Sequence, residues 1–146
     1  MKNAIILTSE SSLQIARTIQ NELDKTIIFT KSDIEGTIQI SSISSCISDV
    51  FDKVESILFI GAMGICVRSI APYIKDKHTD PAIVNIDSTG KYVISVLSGH
   101  VGGANDRTKR VAHILGTEAI ITTQSDNTNL WALDTLGKKY GWTTVS

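Results

Sequence analysis

Apolar residues along the chain gather into short runs of strand length that are separated by polar turns. The runs are rich in β-branched side chains, which favour extended backbone. Several are apolar throughout rather than alternating, so they are predicted to be central strands buried on both faces. They occupy residues 4–7, 26–30, 56–60, 82–86, 92–97 and 119–122.

Segments in which apolar residues have helical spacing lie between these strands. One example is Met63, Val67, Ile70 and Ile74, whose spacing predicts a single buried helix face. Alternating strands and helices predict a mostly parallel sheet with helices on both faces. The helices are predicted within residues 15–23, 43–54, 63–74, 104–115 and 130–136.

Residues 88–91 interrupt this alternation, because they separate two strand-like runs and are too few to form a helix. We therefore expect a hairpin in which 82–86 and 92–97 are antiparallel neighbours. The predicted fold class is α/β: a three-layer α/β/α sandwich with a mostly parallel, mixed sheet that includes one hairpin.

The composition is that of one packed domain spanning residues 1–146. Hydrophobic residues make up 42% of the chain and charged residues 20%, which excludes a disordered protein. The 14 basic and 15 acidic residues argue against a protein that coats nucleic acid, so any anion site must be local. Cys46 and Cys66 fall inside helical patterns and are expected to be small core residues.

Neither a membrane span nor a secretion signal is predicted. The longest apolar stretch, 57–67, is interrupted by two glycines and is too short to cross a bilayer. The first residues offer too few apolar positions for the core of a signal peptide. We expect a cytoplasmic protein without membrane or nucleic-acid partners.

Three loops that follow predicted strands are candidates for the functional site. The first contains Gly61 and Gly64 and begins a helix, so its backbone N–H groups and the helix dipole can hold an anion. Its G-x-x-G spacing is neither a dinucleotide fingerprint nor a P-loop. A tight turn that lets helix and strand pack closely explains the same glycines equally well.

The second loop, 98–105, places His100 among three glycines between a strand end and a helix start. Histidine can accept or donate a proton near neutral pH, and neighbouring glycine N–H groups can stabilise an oxyanion. His100 is therefore the best catalytic candidate in this loop. The structural alternative is that Ser98 or Asn105 caps the following helix and His100 only hydrogen-bonds the backbone.

The third loop, 122–127, offers Asp126 as a base or as a ligand contact. Asp, Asn and Ser after a strand are also ordinary turn and cap residues, so the pattern alone has little specificity.

The three loops form one site only if they share an end of the sheet. This requires strand 92–97 to run parallel to strand 57–60, with 82–86 opposed to both. Pro72 disfavours one continuous helix between residue 64 and strand 82–86, so the chain could return and let 82–86 run in this opposed direction. The expected result is one cleft with Arg68, His100 and Asp126 on its rim.

Four segments of the chain resemble the cobalt-precorrin-5A hydrolases of anaerobic cobalamin biosynthesis, often called CbiG. GICVRSIAP and SGHVGGAN are specific to that family, whereas TTQSD departs from its more usual TTATD at Gln124 and Ser125. The matching half is 57–126, and the resemblance implies that 1–146 is the N-terminal domain. The segments are GAMGICVRSIAP (61–72), KHTDPAIVNID (77–87), SVLSGHVGGAN (95–105) and ITTQSD (121–126).

The resemblance implies a defined reaction, in which water opens a lactone on a ring-contracted cobalt tetrapyrrole and acetaldehyde leaves to give cobalt-precorrin-5B. His100 or Asp126 would be the catalytic base, and N–H groups near Gly102 and Gly103 would bind the oxyanion. No cofactor and no protein metal site is implied, because cobalt arrives inside the substrate. Family members continue into a middle segment and a C-terminal domain, which are expected partners.

The implied substrate carries many carboxylates, so Arg68, Lys77 and Arg107 are expected to bind its side chains. The full set of expected substrate-binding residues is Gly61, Gly64, Arg68, Lys77, Asp80, Ser98, Gly99, Gly102, Gly103, Asn105 and Thr123.

Two other functions stay open at this point. One is a non-catalytic module that holds the tetrapyrrole for a partner domain. The other is a flavodoxin-like nucleotide domain, suggested by the polar residues 8–12 after the first strand, although the glycine of a phosphate loop is missing there.

Overall fold

The computed structural model describes residues 1–122. All six predicted strands are present, and the last covers 118–120 rather than 119–122. The predicted helix at 130–136 lies outside the described residues. The strands are β1 (Asn3–Leu7), β2 (Thr26–Thr30), β3 (Ile38–Gln39), β4 (Ser56–Ile60), β5 (Ala82–Ile86), β6 (Tyr92–Leu97) and β7 (Glu118–Ile120). The helices are α1 (Leu13–Glu22), α2 (Ile43–Val50), α3 (Met63–Ile70) and α4 (Ala104–Leu115).

Within residues 1–122 the strands form one seven-stranded sheet in the order β3-β2-β1-β4-β5-β6-β7. The first five strands of the chain are parallel to one another, β5 and β6 are antiparallel, and β7 is parallel to β6. The mixed sheet with one hairpin is therefore confirmed. We call the end of the sheet where β1, β2, β4 and β5 finish the carboxyl end, and the opposite end the amino end.

Helices cover both faces of the sheet, as predicted for a three-layer sandwich. Residues of α1 and α4 pack against one face and form the first layer, with Ile19 and Val111 in its core. Residues of α2 and α3 pack against the other face and form the second layer, with Ile47 and Ile70 in its core. Apolar side chains therefore fill both spaces between sheet and helices.

Both cysteines lie in the second core, as predicted. Cys46 and Cys66 are free thiols that are 4% and 0% exposed. Burial, with a smaller contribution from the Asp49 carboxylate, raises the pKa of Cys46 to about 11. Burial alone raises the pKa of Cys66 to about 12. Both thiols are therefore protonated at neutral pH and act as small apolar residues.

The predicted buried face of α3 is wrong in part. Cys66 and Ile70 point into the core, whereas Val67 is 44% exposed and Ile74 is 45% exposed. The helix ends at Ile70 and continues into a 3-10 turn that contains Pro72. Because the helical spacing stops there, Ile74 is not in phase with the residues before it.

The hairpin between β5 and β6 is closed by Asp87, whose carboxylate accepts backbone hydrogen bonds from Thr89, Lys91 and Tyr92. Gly90 has a φ of +75°, a left-handed conformation that suits glycine. Partial burial raises the pKa of the Asp87 carboxyl, but these hydrogen bonds and one from the Thr89 hydroxyl outweigh it and lower the pKa overall.

The direction of β5 that a single cleft would require is not observed. β5 pairs in parallel with β4, from Ser56 opposite Ala82 to Ile60 opposite Ile86. The segment from α3 through the 3-10 turn carries the chain over the second layer and back to the amino end, so β5 starts where β4 starts. Pro72 ends the helix as expected, but the residues after it complete the crossover instead of reversing it.

Candidate functional site

The turn after β4 and the loop after β6 lie at opposite ends of the sheet. Because β6 is antiparallel to β5, the loop that contains His100 is at the amino end, whereas Gly61 and Gly64 are at the carboxyl end. A strand of five residues separates two such loops by about 16 Å. The prediction that one cleft joins Gly64 and His100 is therefore wrong.

At the carboxyl end, Gly61 is required by the packing of neighbouring strands. A Cβ at Gly61 would lie 2.5 Å from Oγ1 of Thr8, the residue after β1. The Thr8 hydroxyl donates to the Ile60 carbonyl oxygen, and the Gly61 carbonyl oxygen accepts from the Asn85 amide. Close packing of three strand ends accounts for this glycine.

Gly64 lies in the first turn of α3, and no atom is within 4 Å of a Cβ placed there. The N-cap residue Ala62 makes no side-chain hydrogen bond to the helix. The loops at this end carry more carboxylates than lysines among the described residues, which is unfavourable for an anionic ligand. The charged side chains are those of Glu10, Asp33, Glu35, Asp87, Glu118, Lys31 and Lys91.

At the amino end, Ser98 and Gly102 form the closely packed base of the second loop. Ser98 has a φ of +58°, a left-handed conformation that is uncommon for a residue other than glycine. A Cβ at Gly102 would be 2.5 Å from Cβ of Ser98 and 3.4 Å from the Asp80 carbonyl oxygen. The loop therefore packs directly on the connection that precedes β5.

Backbone hydrogen bonds tie this loop to the start of α4. The N–H groups of Ala104 and Asn105 donate to the carbonyl oxygens of Ser98 and Gly99. The Ser95 hydroxyl donates to the Asn105 side chain at 2.8 Å. The N-cap of α4 is Gly103, with a φ of +84° and no side-chain cap, so the suggested capping by Ser98 or Asn105 is not observed. The loop is held at both ends.

His100 is exposed at the tip of this loop. Within residues 1–122 its side chain makes no hydrogen bond or ion pair. The structural alternative, in which His100 only hydrogen-bonds the backbone, is therefore not observed. An imidazole in this position is free to contact a ligand.

The connection before β5 brings Asp80 and Lys77 to the same end. The Asp80 side chain is buried, and both carboxylate oxygens accept from the backbone N–H of Lys75, at 3.2 and 2.9 Å. The Lys75 amino group in turn pairs with Asp52 at 3.0 Å. Lys77 is exposed on this connection. Asp80 thus fixes the connection and Lys77 is available for an anion.

Other predicted site residues are not brought to this loop. Arg68 is exposed on α3, in the second layer, whereas the loop leads into α4 in the first layer. Thr123 and Asp126 lie outside the described residues. β7 runs parallel to β6, so its carboxyl end faces the amino end of the sheet.

A groove of about 360 Å³ borders the loop and includes three residues that were not among the predicted site residues, Glu55, Asp106 and Arg110. Arg110 follows Arg107 by three positions on α4, a spacing that puts both on neighbouring turns of one helix face. That spacing was a usable signal, whereas Glu55 is brought close only by the fold. The groove is lined by Glu55, Gly102, Gly103, Asp106, Arg107 and Arg110.

The family model for the N-terminal part of cobalamin synthesis protein G matches residues 45–126, more than half of the chain. The chain belongs to the cobalamin synthesis G N-terminal family. The match includes the turn at Gly61 and the loop at His100, so it covers both ends of the sheet.

Relatives of this cobalamin synthesis G domain are longer proteins. A cobalt-precorrin-5A hydrolase of Priestia megaterium is 37% identical over 147 residues, which cover 95% of this chain and 39% of the relative. One of Salmonella typhimurium is 51% identical over 86 residues, 59% of this chain and 24% of the relative. The chain therefore spans about two fifths or less of these curated relatives.

The crystal structure of a cobalamin biosynthesis protein G homolog from Sulfolobus solfataricus has the same fold. It superposes with a TM-score of 0.67 at 30% identity and covers 83% of this chain and 36% of its own. Among residues 1–122 of the cobalamin synthesis G domain, no helix has the length and apolar character needed to cross a membrane. The same residues contain no cluster of three or more metal-ligating side chains.

Proposed function

We propose that the chain acts in cobalamin biosynthesis as the N-terminal domain of a cobalt-precorrin-5A hydrolase. The observation that carries the proposal is the loop 98–105, in which His100 is exposed and has no side-chain partner among residues 1–122, two and three positions before Gly102 and Gly103. The names of the relatives from Priestia megaterium and Salmonella typhimurium support the reaction. The other parts of the longer relatives would complete the enzyme.

In the proposed reaction, His100 acts as general base on a water molecule. The water oxygen attacks the lactone carbonyl carbon, and the negative charge that develops on the carbonyl oxygen is stabilised by the N–H groups of Gly102 and Gly103. The lactone C–O bond then breaks, and the departing oxygen takes up a proton. The products of this step are a carboxylate and a hydroxyl group on the macrocycle.

Loss of acetaldehyde follows as a retro-aldol step. A base removes the proton of a hydroxyl group on the two-carbon unit, its C–O bond becomes a carbonyl, and the C–C bond to the macrocycle breaks. The electron pair of that bond remains on the macrocycle, which takes up a proton. Water is the only co-reactant, and cobalt stays in the substrate throughout.

The amino end offers donors to a polycarboxylate substrate, since His100, Lys77 and Arg107 are there. Gly61 and Gly64 lie at the opposite end of the sheet and Arg68 lies on α3 in the second layer, so these residues are not assigned to this site. A flavodoxin-like phosphate site at residues 8–12 is disfavoured by the carboxylates in the loops at the carboxyl end.

The test is release of acetaldehyde from cobalt-precorrin-5A. It is run with the 146-residue chain and with a chimera in which the chain replaces the matching part of the Priestia megaterium relative. His100→Ala is expected to slow release by about 100-fold or more, because a general base contributes at least that much. The matched control is His113→Ala, which alters an exposed histidine that lies on α4 outside the loop and should retain full activity.

Full activity of the His100→Ala variant would contradict the assigned base. Tight substrate binding without turnover by the chimera would contradict the hydrolase and favour a non-catalytic tetrapyrrole-binding module, the alternative function for this chain.

A further inference from the structure

Arg107 is a half-buried residue whose guanidinium is not neutralised by any of the residues 1–122. No carboxylate among them lies within 4 Å of it, and it makes no side-chain hydrogen bond. Other basic residues of the chain differ, since Lys2 pairs with Glu55 at 3.9 Å and Lys75 pairs with Asp52 at 3.0 Å. Partial burial of an unpaired cation is unfavourable, so an anionic partner at Arg107 would be stabilising.

The wall of the groove beside Arg107 has room for a ligand. No atom lies within 4 Å of a Cβ placed at Gly103, so the backbone is accessible there. Beneath it, Ser98 is 8% exposed, and its hydroxyl has no hydrogen-bond partner among the residues that the structure describes. Ser98 packs against Gly102, which lines the groove, but Ser98 is not itself part of the lining.

The other charges of the groove restrict which anion fits. Arg110 lines it and donates one N–H to the Glu22 carbonyl oxygen at 3.2 Å, which leaves further donors for a ligand. Glu55 and Asp106 also line it and would repel a compact dianion such as phosphate. A single carboxylate on a flexible arm suits this balance, because its two oxygens match a guanidinium.

We propose that this groove is a carboxylate subsite, in which Arg107 is the main cation, Arg110 is the second, and Gly102 and Gly103 form the wall. The inference rests on the proposed function, because the ligand is taken to be a side arm of the tetrapyrrole substrate. A groove of about 360 Å³ receives such an arm and leaves the macrocycle above the loop, near His100.

The test is a fluorescence titration of the 146-residue chain with uroporphyrin, a macrocycle whose side arms are acetates and propionates. Arg107→Gln is expected to weaken binding about 10-fold, since a hydrogen bond between charged groups contributes about 1.5–3 kcal/mol. Arg110→Gln should weaken it about threefold, because that side chain is exposed. Arg107→Lys keeps the charge but loses the paired donors, and should give an intermediate loss.

Lys91→Gln removes a cation at the carboxyl end and is the matched control. It should leave the affinity unchanged. The subsite is refuted if wild-type protein does not bind uroporphyrin, if Arg107→Gln binds as the wild type does, or if Lys91→Gln weakens binding equally. Each variant is first compared with wild type by circular dichroism, and if Arg107→Gln fails to fold, Arg107→Lys decides the outcome.

The two proposals fail separately. If Arg107→Gln weakens uroporphyrin binding but the chimera releases no acetaldehyde, the subsite stands and the hydrolase does not. If the chimera releases acetaldehyde and Arg107→Gln neither weakens uroporphyrin binding nor raises the KM for cobalt-precorrin-5A, the hydrolase stands and the subsite does not.

Discussion

The turn at Gly61 and the loop at Gly102 and Gly103 are both glycine-rich, and both join a strand to a helix. In the first, the glycine is there because a neighbouring strand end leaves no space for a side chain. In the second, Gly102 is equally crowded, but Gly103 faces open space and has a left-handed backbone. The comparison shows that glycines in similar sequence patterns are required for different structural reasons. A glycine that faces open space beside polar groups without partners indicates a functional site better than a closely packed one does.

The largest expected effect is on the packed glycine. Gly61→Ala should lower the free energy of unfolding by about 3 kcal/mol, because the added Cβ would lie 2.5 Å from Oγ1 of Thr8. Urea denaturation measures the loss. Gly64→Ala, three positions later in the first turn of α3 and in open space, is the control and should leave stability unchanged or raise it by up to about 1 kcal/mol. Equal losses in the two variants would mean that the crowding at Thr8 does not explain the glycine.

A smaller effect is expected at the open glycine. Gly103→Ala should cost about 1–2 kcal/mol, since its φ of +84° is unfavourable for an L-residue while nothing obstructs the side chain. Gly103→Asn should recover part of that loss, because asparagine tolerates this conformation better. Urea denaturation of the two variants tests whether the cost comes from the backbone alone; an asparagine variant no more stable than the alanine variant would argue against it.

The smallest stability effect is expected at the hairpin turn. Asp87→Ala should cost about 1 kcal/mol near pH 7, because three backbone N–H groups lose their acceptor at an exposed site. The pKa of Asp87 is lowered in the folded protein, so its contribution is complete above the unfolded-state pKa and is lost as pH falls through the folded-state value. Urea denaturation should show that Asp87→Ala is less stable than the wild type at neutral pH and that the two have the same free energy of unfolding at acidic pH. A difference in stability that persists in acid would contradict this account.

Local sequence pattern was sufficient for most of the fold. Apolar runs located six strands, and four residues between two of them were enough to predict the hairpin. β3 was missed because it has only two residues, both exposed, and so has no apolar pattern. These outcomes depend on short stretches of chain, where side-chain periodicity reports burial directly.

The direction of β5 could not be obtained in the same way. It depends on whether the chain beyond Pro72 returns to the start of β4 or stays near its end, and a segment of that length can do either. The error moved His100 to the opposite end of the sheet from Gly64 and divided the predicted site. Glu55 was missed for a different reason, since only the fold brings it to the groove beside the loop, whereas the spacing of Arg110 from Arg107 was a signal that the sequence did offer.

The hairpin reverses β6 and β7 relative to the first five strands, so strands end at both ends of the sheet. These two ends are the poles of the domain, and the loops at one pole can change without affecting those at the other. Loops grafted after β1 or β4 emerge at one pole, and loops grafted after β6 emerge at the other, with the length of the sheet between them. A designer could therefore reshape recognition at one pole while the other keeps its original contacts. The same separation means that a large planar molecule seated at one pole would leave the other free for attachment to a neighbouring protein.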